Sequence, residues 1–258
     1  MPKNEESKDL EVQGTKELVT QTDAPMGFED EEAGDMIIPR VKVIQTLSPE
    51  RKDGIAEEGD ILNSLTKEKL NGKKFIAVFK YNNNIEWKPR SEGGGIKCYS
   101  SDGKTGKMSD GTLLVCAQCK RNEFDNSKTG AESLPKCTKY MNFFGFFEGE
   151  RMPIILSFAK TNYAEGKKLF SLAKVSMQNM WHFAYTLCEK KMVKGGNEWY
   201  NAVVTPAGPT SNEDREFGKS MFMSFRDTDF KADLDDDSTS KTVDASTASD
   251  EELKNTEF

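Results

Sequence analysis

Cys116 and Cys119 stand as C-x-x-C, and Cys98 and Cys137 flank them with seventeen residues on either side. Two thiolates three positions apart on a tight turn bind one cation as a pair. Two outer thiolates carried in by hairpin strands complete a tetrahedron, for which zinc is the default ion. A closed four-sulfur site leaves no position for water, so the expected role is structural: a zinc ribbon over about residues 96–139, with Gly103, Gly106, Gly111, Gly130 and Pro135 supplying turns. Reduced thiols in a loop are the alternative. The chain has five cysteines, an odd number that suits metal ligation in a reducing compartment better than a disulfide framework. Cys188, the fifth, falls among apolar residues and reads as a plain core thiol.

Catalytic chemistry finds little support. His182 is the only histidine and sits between Trp181 and Phe183, where a satisfied imidazole is the simpler reading, so a histidine-dependent triad is not indicated. There is no G-x-x-x-x-G-K-[ST] loop, no G-x-G-x-x-G fingerprint and no H-E-x-x-H. The run from Asp233 to Asp237 imitates a metal-binding carboxylate cluster, but in a polar segment such charges repel and stay solvated. The chain is expected not to be an enzyme, and a nuclease with scattered carboxylate ligands ranks last.

Binding chemistry is better represented. Lys80, Tyr81, Trp87, Lys88 and Arg90 mix rings with cations, and the cysteine segment adds Tyr99, Lys104, Lys107, Lys120 and Arg121. Unpaired bases stack on exposed rings while phosphates meet Lys and Arg, so this interleaving suits a single strand better than a duplex. Tyr81 and Trp87 are the favoured stacking platforms. Phe75, Phe79 and Phe143 to Phe147 read as core packing, and Trp181 falls within a predicted helix.

The charge is partitioned along the chain. Residues 1–35 hold eleven acidic and three basic side chains and residues 232–258 nine and two, so the overall −7 conceals a body, 36–231, at +8. A basic body implies a polyanion partner, with which an acidic tail competes. Both arms read as disordered, and solubilising arms around an ordinary domain are the plainer alternative. No apolar run spans a bilayer and no signal-peptide core is seen at the amino terminus, so the expectation is a soluble, cytoplasmic protein without a membrane partner.

The elements that must position these residues read as mostly strands. Met36 to Leu47 alternates as an extended edge, and Ile61 to Leu65 and Leu70 to Gly72 flank a polar turn. Lys74 to Tyr81 is the strongest strand, expected to turn at Asn82 to Asn84 and return through Glu86 to Arg90 as a hairpin. Tyr140 to Phe147 and Pro153 to Phe158 form two more strands around Glu148 to Arg151. Apolar spacing predicts a helix from Leu169 to about Lys191, ended by Gly195 and Gly196. Glu198 to Thr205 is a strand, and Ser211 followed by Asp214 caps a short helix over Phe217 and Met221. The expected fold class is mainly β with added helices (α+β): an OB-fold-like barrel over 36–231 carrying the inserted ribbon.

Assembled, the basic β body, the mixed aromatic and cationic hairpin, and the acidic tail of Asp235, Asp236, Asp237, Asp250, Glu251, Glu252, Glu257 and Phe258 resemble single-stranded DNA-binding proteins of tailed bacteriophages. Pro153 to Leu172 (PIILSFAKTNYAEGKKLFSL) is similar to a strand, Lys-rich turn and helix in phage members of that group. The resemblance implies an OB-fold that coats single-stranded DNA without marked sequence preference in replication and recombination. It also implies a tail that recruits a DNA polymerase, helicase-primase or recombination proteins, in the host cytoplasm; homo-oligomerisation stays open. The four-cysteine segment and the acidic amino-terminal arm depart from the simplest members. The competing class is a zinc-ribbon adaptor or inhibitor that binds a polymerase, its acidic arms imitating nucleic acid.

Overall fold

The computed structural model describes residues 37–124, 126–127, 133–228 and 230. The chain divides into two compact units, Met1–Ile37 and Ile38–Phe258, and every element below belongs to the second. The acidic arm and the acidic tail expected from the sequence lie outside the described residues.

In chain order the elements are β1 (Val41–Val43), a one-turn helix α1 (Pro49–Lys52), β2 (Ile61–Asn63), β3 (Lys74–Trp87), β4 (Ile96–Ser100), β5 (Thr105–Met108) and β6 (Leu113–Val115). They continue with β7 (Cys137–Phe147), β8 (Ile154–Ala159), α2 (Tyr163–Val175), β9 (Phe183–Lys194), β10 (Asn197–Pro209) and α3 (Asn212–Phe225). The long strand β3 organises the rest. Along one edge it pairs with β7 from Phe75↔Phe147 to Glu86↔Cys137. Its other edge is shared: β9 takes the first residues, with Phe75 opposite Tyr185, and β4 takes the last, with Asn84 opposite Ser100. The eight-stranded sheet therefore forks, with β9 and β10 on one branch and β4, β5 and β6 on the other, while β8 extends it beyond β7.

Both faces of the β3–β7 region are buried, which is why their sequences run apolar rather than alternating. On one face Phe75, Ala77, Phe143, Leu156, Phe158, Tyr185, Leu187 and Val204 pack with Leu169 and Ala173 of α2. On the other, Ile76, Val78, Phe144, Phe146 and Ala184 pack with Trp181 and with Met221 of α3. Phe143 and Phe147 thus point to one core and Phe144 and Phe146 to the other, with Gly145 between them. The α3 helix starts as its sequence implies: the Ser211 hydroxyl accepts a hydrogen bond from the Asp214 backbone N–H at 3.0 Å.

The mainly β, α+β class agrees with expectation, and the body is barrel-like, but the barrel is not closed. β1 and β2 form a separate two-stranded sheet. It touches β8 through one parallel bridge, Arg40↔Ile155. Opposite β10, the Gln45 side-chain amide stands in for a strand, donating to the Tyr200 carbonyl at 2.7 Å and accepting from its N–H at 2.9 Å. Pro206 and Pro209 on β10 have no N–H to offer a further ladder. Among the described residues no helix is long and apolar enough to cross a membrane.

Two sequence expectations are corrected. The hairpin over 74–90 is one continuous 14-residue strand. The asparagines that suggested a turn are held by their own amides: Asn142 donates to Asn83 at 2.8 Å, Ser157 to Asn142 at 2.7 Å, and Asn84 to the Gly103 carbonyl at 3.3 Å. The helix expected to run to Lys191 ends at Val175; Met177 has φ 51° and the chain re-enters the sheet as β9. Because β9 is buried on both faces, Ala184 toward one core and Tyr185 and Leu187 toward the other, its apolar pattern imitates helical spacing. Gly195 and Gly196, with φ 59° and 79°, form the two-residue hairpin turn between Lys194 and Asn197.

One residue governs how closely β3 and β7 approach. A Cβ at Gly145 would run into the Ile76 carbonyl oxygen and the ring of Phe75, beside the bulge between Ala77 and Phe79. Gly145→Ala is expected to cost about 1–3 kcal/mol or more, since the obstacle is backbone as well as side chain. Urea unfolding checks this by a lower midpoint at unchanged slope.

Candidate functional site

Beyond the two cores, β3 and β7 run on as a ribbon, joined by β4, β5 and β6. The bulge between Ala77 and Phe79 sets which side chains this ribbon shows to each side. After it, Lys80, Asn82, Asn84 and Glu86 lie on the α2 side, and Phe79 and Tyr81 on the α3 side. Lys80 accordingly lies 5.2 Å from the centre of the Phe170 ring of α2. Phe79 packs with the core under α3.

The four cysteines expected to act together line one small cavity of about 10 Å3. Glu86 pairs with Cys98 on one edge of β3 and with Cys137 on the other, so the outer two thiols flank it in one row. Cys116 and Cys119 come from a 3-10 turn, Cys116–Gln118, followed at once by a second, Lys120–Asn122. The pair of turns is tied by Cys116 N–H to the Lys104 carbonyl at 2.7 Å and by the Asn122 side chain to the Cys116 carbonyl at 2.7 Å. Glu86 is buried and its carboxylate is spoken for by Arg121 at 2.7 Å and Lys97 at 3.7 Å. Burial, with the neighbouring thiols, pushes the Cys98 thiol up and that of Cys137 up to about 12. Among the described residues no group of three or more His, Cys, Asp or Glu side chains is disposed to hold a metal ion. Cys188, expected in a helix core, is partly buried on β9.

Next to the thiols opens a larger groove of about 350 Å3. Asn82, Asn84 and Lys139 come from β3 and β7, and Tyr163 from the start of α2; Gly103, Lys104, Val115, Cys116, Ala117 and Asn122 form the opposite wall, and Tyr140 completes the lining. Among the described residues no carboxylate lines it. Lys104 and Lys139 are exposed, and neither has a carboxylate partner among the described residues. Lys167 lies 5.5 Å from the Tyr163 ring centre, on the outer side of α2. Lys80, one step along β3, bonds Asn82 at 3.0 Å; burial lowers its pKa, and no carboxylate faces it among the described residues.

The residues nominated from the sequence divide accordingly. Lys104 lines the groove, and Lys80 adjoins it through Asn82. Tyr81 lies against Phe230, ring centres 5.1 Å apart, and the Tyr99 hydroxyl donates to the Phe230 carbonyl at 2.9 Å. Arg121 is bound to Glu86. Trp87 is partly buried at the end of β3, and the Lys88 N–H bonds the Gly95 carbonyl at 2.8 Å. Lys107 is exposed on β5 and Lys120 on its 3-10 turn. Arg90 falls in a further 3-10 turn, Arg90–Glu92, its side chain outside the described residues. The tail residues Asp235, Asp236, Asp237, Asp250, Glu251, Glu252, Glu257 and Phe258 lie outside them too. Sequence reasoning passed over Asn82, Asn84, Asn122, Lys139, Tyr140 and Tyr163. Their signal was a run of amides in the strongest strand and a Lys-Tyr pair opening the next one.

No curated protein and no solved structure matches the chain. A family model, described as "Pam3 phage gp34-like protein", matches residues 8–231. With the match covering the whole folded body and most of the sequence, the chain belongs to the Pam3 phage gp34-like family.

Proposed function

We propose that this protein binds single-stranded DNA in the groove between the β3–β7 ribbon and the Gly103–Asn122 wall, and serves phage DNA replication or recombination. The observation that carries the reading is the lining itself: tyrosines, asparagine amides and two lysines that, among the described residues, have no acid partner and share the groove with no carboxylate. Tyrosine faces stack bases without regard to sequence, amides meet base edges, and lysines neutralise phosphates with release of counterions. The phage family and the +8 body are in keeping with this chemistry. An oligomer, a tail that recruits replication proteins, and an OB-type ancestry of the open barrel complete the proposal.

Charge placement supports the same choice. On the body outside the ribbon, several cations are matched: Lys73 meets Glu68 and Glu150, Lys74 meets Glu148, Lys42 and Lys67 share Glu50, and Arg151 holds Glu213 and Asp214. Lys69 likewise pairs with Asp60. On the ribbon, Lys104, Lys107, Lys120 and Lys139 are exposed and have no ion-pair partner among the described residues.

Titrating a fluorescent oligo-dT with the full chain at several salt concentrations tests the reading. Binding is expected to prefer the single strand over a duplex and to weaken with salt, by about 0.7 in log–log slope for each phosphate neutralised. Replacing both Lys104 and Lys139 with Ala is expected to weaken binding alike for all sequences and to flatten that slope by roughly one to two. No retention of oligo-dT by the native chain, or an unchanged slope in the double variant, refutes the groove.

Lys80 gives an independent check. Its folded-state pKa is depressed by burial, so the folded protein holds the proton less well than the unfolded chain and the charged lysine costs stability at neutral pH. Lys80→Met is expected to raise the thermal midpoint while weakening oligo-dT binding, the opposite signs expected of a charge kept for a ligand. A variant that loses stability and keeps affinity would make Lys80 a structural residue.

The tail prediction needs a carefully chosen end point, because Phe230 packs on Phe79, Tyr81 and Phe144. A chain ending at Phe230 keeps that packing and removes the acidic residues that compete for the lysines. It is expected to bind oligo-dT more tightly than the full chain at low salt, with the difference shrinking as salt rises. Equal affinities at low salt would remove tail competition from the account.

A further inference from the structure

We infer that the four thiols form a structural zinc site whose ion fixes the wall of the groove. All four sulfur-bearing residues line one cavity of about 10 Å3, room for a single water-sized or ion-sized occupant. Its other lining residues are Asn84, Glu86, Ser100, Gly106, Leu114, Arg121 and Asn122, of which Leu114 alone is aliphatic. A cluster of ordinary core thiols would sit among aliphatic side chains, and these do not.

Three features fit an ion. Gly106 leaves space where it is needed: a Cβ there would lie 3.0 Å from Cys98 Sγ and 3.6 Å from Cys116 Sγ. Glu86, the one carboxylate in the lining, is engaged by Arg121 and Lys97, which leaves the sulfurs as the free ligand set. Four thiolates around a divalent ion carry two net negative charges and Glu86 beside them a third, and the Arg121 and Lys97 cations on Glu86 offset two of the three. Without a cation the thiols surround the cavity and have no attraction to close on it. Zinc supplies that attraction, each thiol giving its proton to solvent as it binds.

The consequence for the groove follows from shared residues. Asn84, Cys116 and Asn122 line both the thiol cavity and the groove. An ion on Cys116 and Cys119 clamps the two 3-10 turns that form the groove's wall, and four sulfur ligands leave it no catalytic position. The clamp rests on the groove reading only for its purpose; the ion itself does not.

The test uses the full chain, expressed with zinc and purified without chelator, and contains no nucleic acid. Elemental analysis is expected to give about one zinc per chain, retained by Cys188→Ser and lost or sharply reduced in Cys116→Ser. Because Cys116→Ser can fail by unfolding, cobalt(II) is added to metal-stripped native protein as a second measurement. Intense tetrahedral bands with thiolate-to-cobalt charge transfer are expected, and hydrogen exchange across Cys116–Asn122 is expected to slow at least tenfold on metal binding. Zinc well below stoichiometric together with no thiolate–cobalt band overturns the site, and unchanged exchange across Cys116–Asn122 overturns the clamp. Neither outcome depends on whether the protein binds DNA.

Discussion

The antiparallel ladder between β3 and β7 is the constraint on which the structure rests. It begins between two cores, at Phe75↔Phe147, and ends among the thiols, at Glu86↔Cys137, so one register fixes both the packing and the site. Side chains alternate along a strand, and a slip of one residue would exchange the two faces. The bulge between Ala77 and Phe79 makes such an exchange once, on purpose. Val78 is the extra residue, and past it the even-numbered side chains Lys80, Asn82, Asn84 and Glu86 take the side that Phe75 and Ala77 faced. Without the bulge, Phe79 and Tyr81 would stand in the groove and the amides would be pressed against α3. Gly145, opposite Ala77, lets the two backbones come close enough for this to be done inside a packed core.

A ladder that carries on past its core must satisfy polar groups by other means. The ribbon does so with amides. Asn83, Asn142 and Ser157 bond in series in a buried row, and Asn84 reaches the Gly103 carbonyl. Each of these bonds is worth about 1 kcal/mol net, but leaving such a group unpaired when buried costs more, so the row holds the ribbon to one conformation. Phe230 does the corresponding work on the opposite side, its ring covering Phe79, Tyr81 and Phe144 and its carbonyl taking the Tyr99 hydroxyl. The Tyr81 ring, which looked free for bases in the sequence, is thus covered by the chain's own last described residue, which also takes the Tyr99 hydroxyl, and the tyrosines that line the groove are Tyr140 and Tyr163.

How much of this was legible in the sequence follows from what each pattern encodes. KFIAVF and YMNFFGFF are dense in aromatic and branched residues and announce strands whichever face they bury. The Ser211 cap announces α3 because its chemistry is local. The Asn82–Asn84 run misled for the opposite reason: an asparagine prefers a turn only when its amide must bond its own backbone, and here partners 59 and 15 residues away in the chain satisfy the row. The β9 segment misled because burial on two faces erases the period of two that marks a strand. The thiols could be grouped from spacing alone, since C-x-x-C with symmetric flanks admits few other arrangements, whereas the groove could not. Its residues come from four separate parts of the chain, and the face on which they meet is decided by one bulged residue that leaves no mark in composition.

The thiol cavity and the groove share Asn84, Cys116 and Asn122, so they are one mechanical unit seen from two sides. Coupling between sites that share residues is reciprocal: whatever holds the Cys116–Asn122 turns in place favours a ligand in the groove, and a ligand in the groove favours the closed turns by the same free energy. The wall has little else to hold it. Val115 is exposed, β6 is a three-residue strand at the end of its branch, and the turns bond to themselves, to Lys104 and, through Arg121, to Glu86 of β3. A wall so lightly packed will open locally at low cost unless something at its base resists. The amide row rigidifies the floor through backbone register, and beneath the wall the Arg121–Glu86 pair and the thiol cluster stand where they can do the equivalent for the other side. Stability in the core and order in the groove are therefore separable here: the ladder carries the first, and the second depends on what occupies the base of the wall.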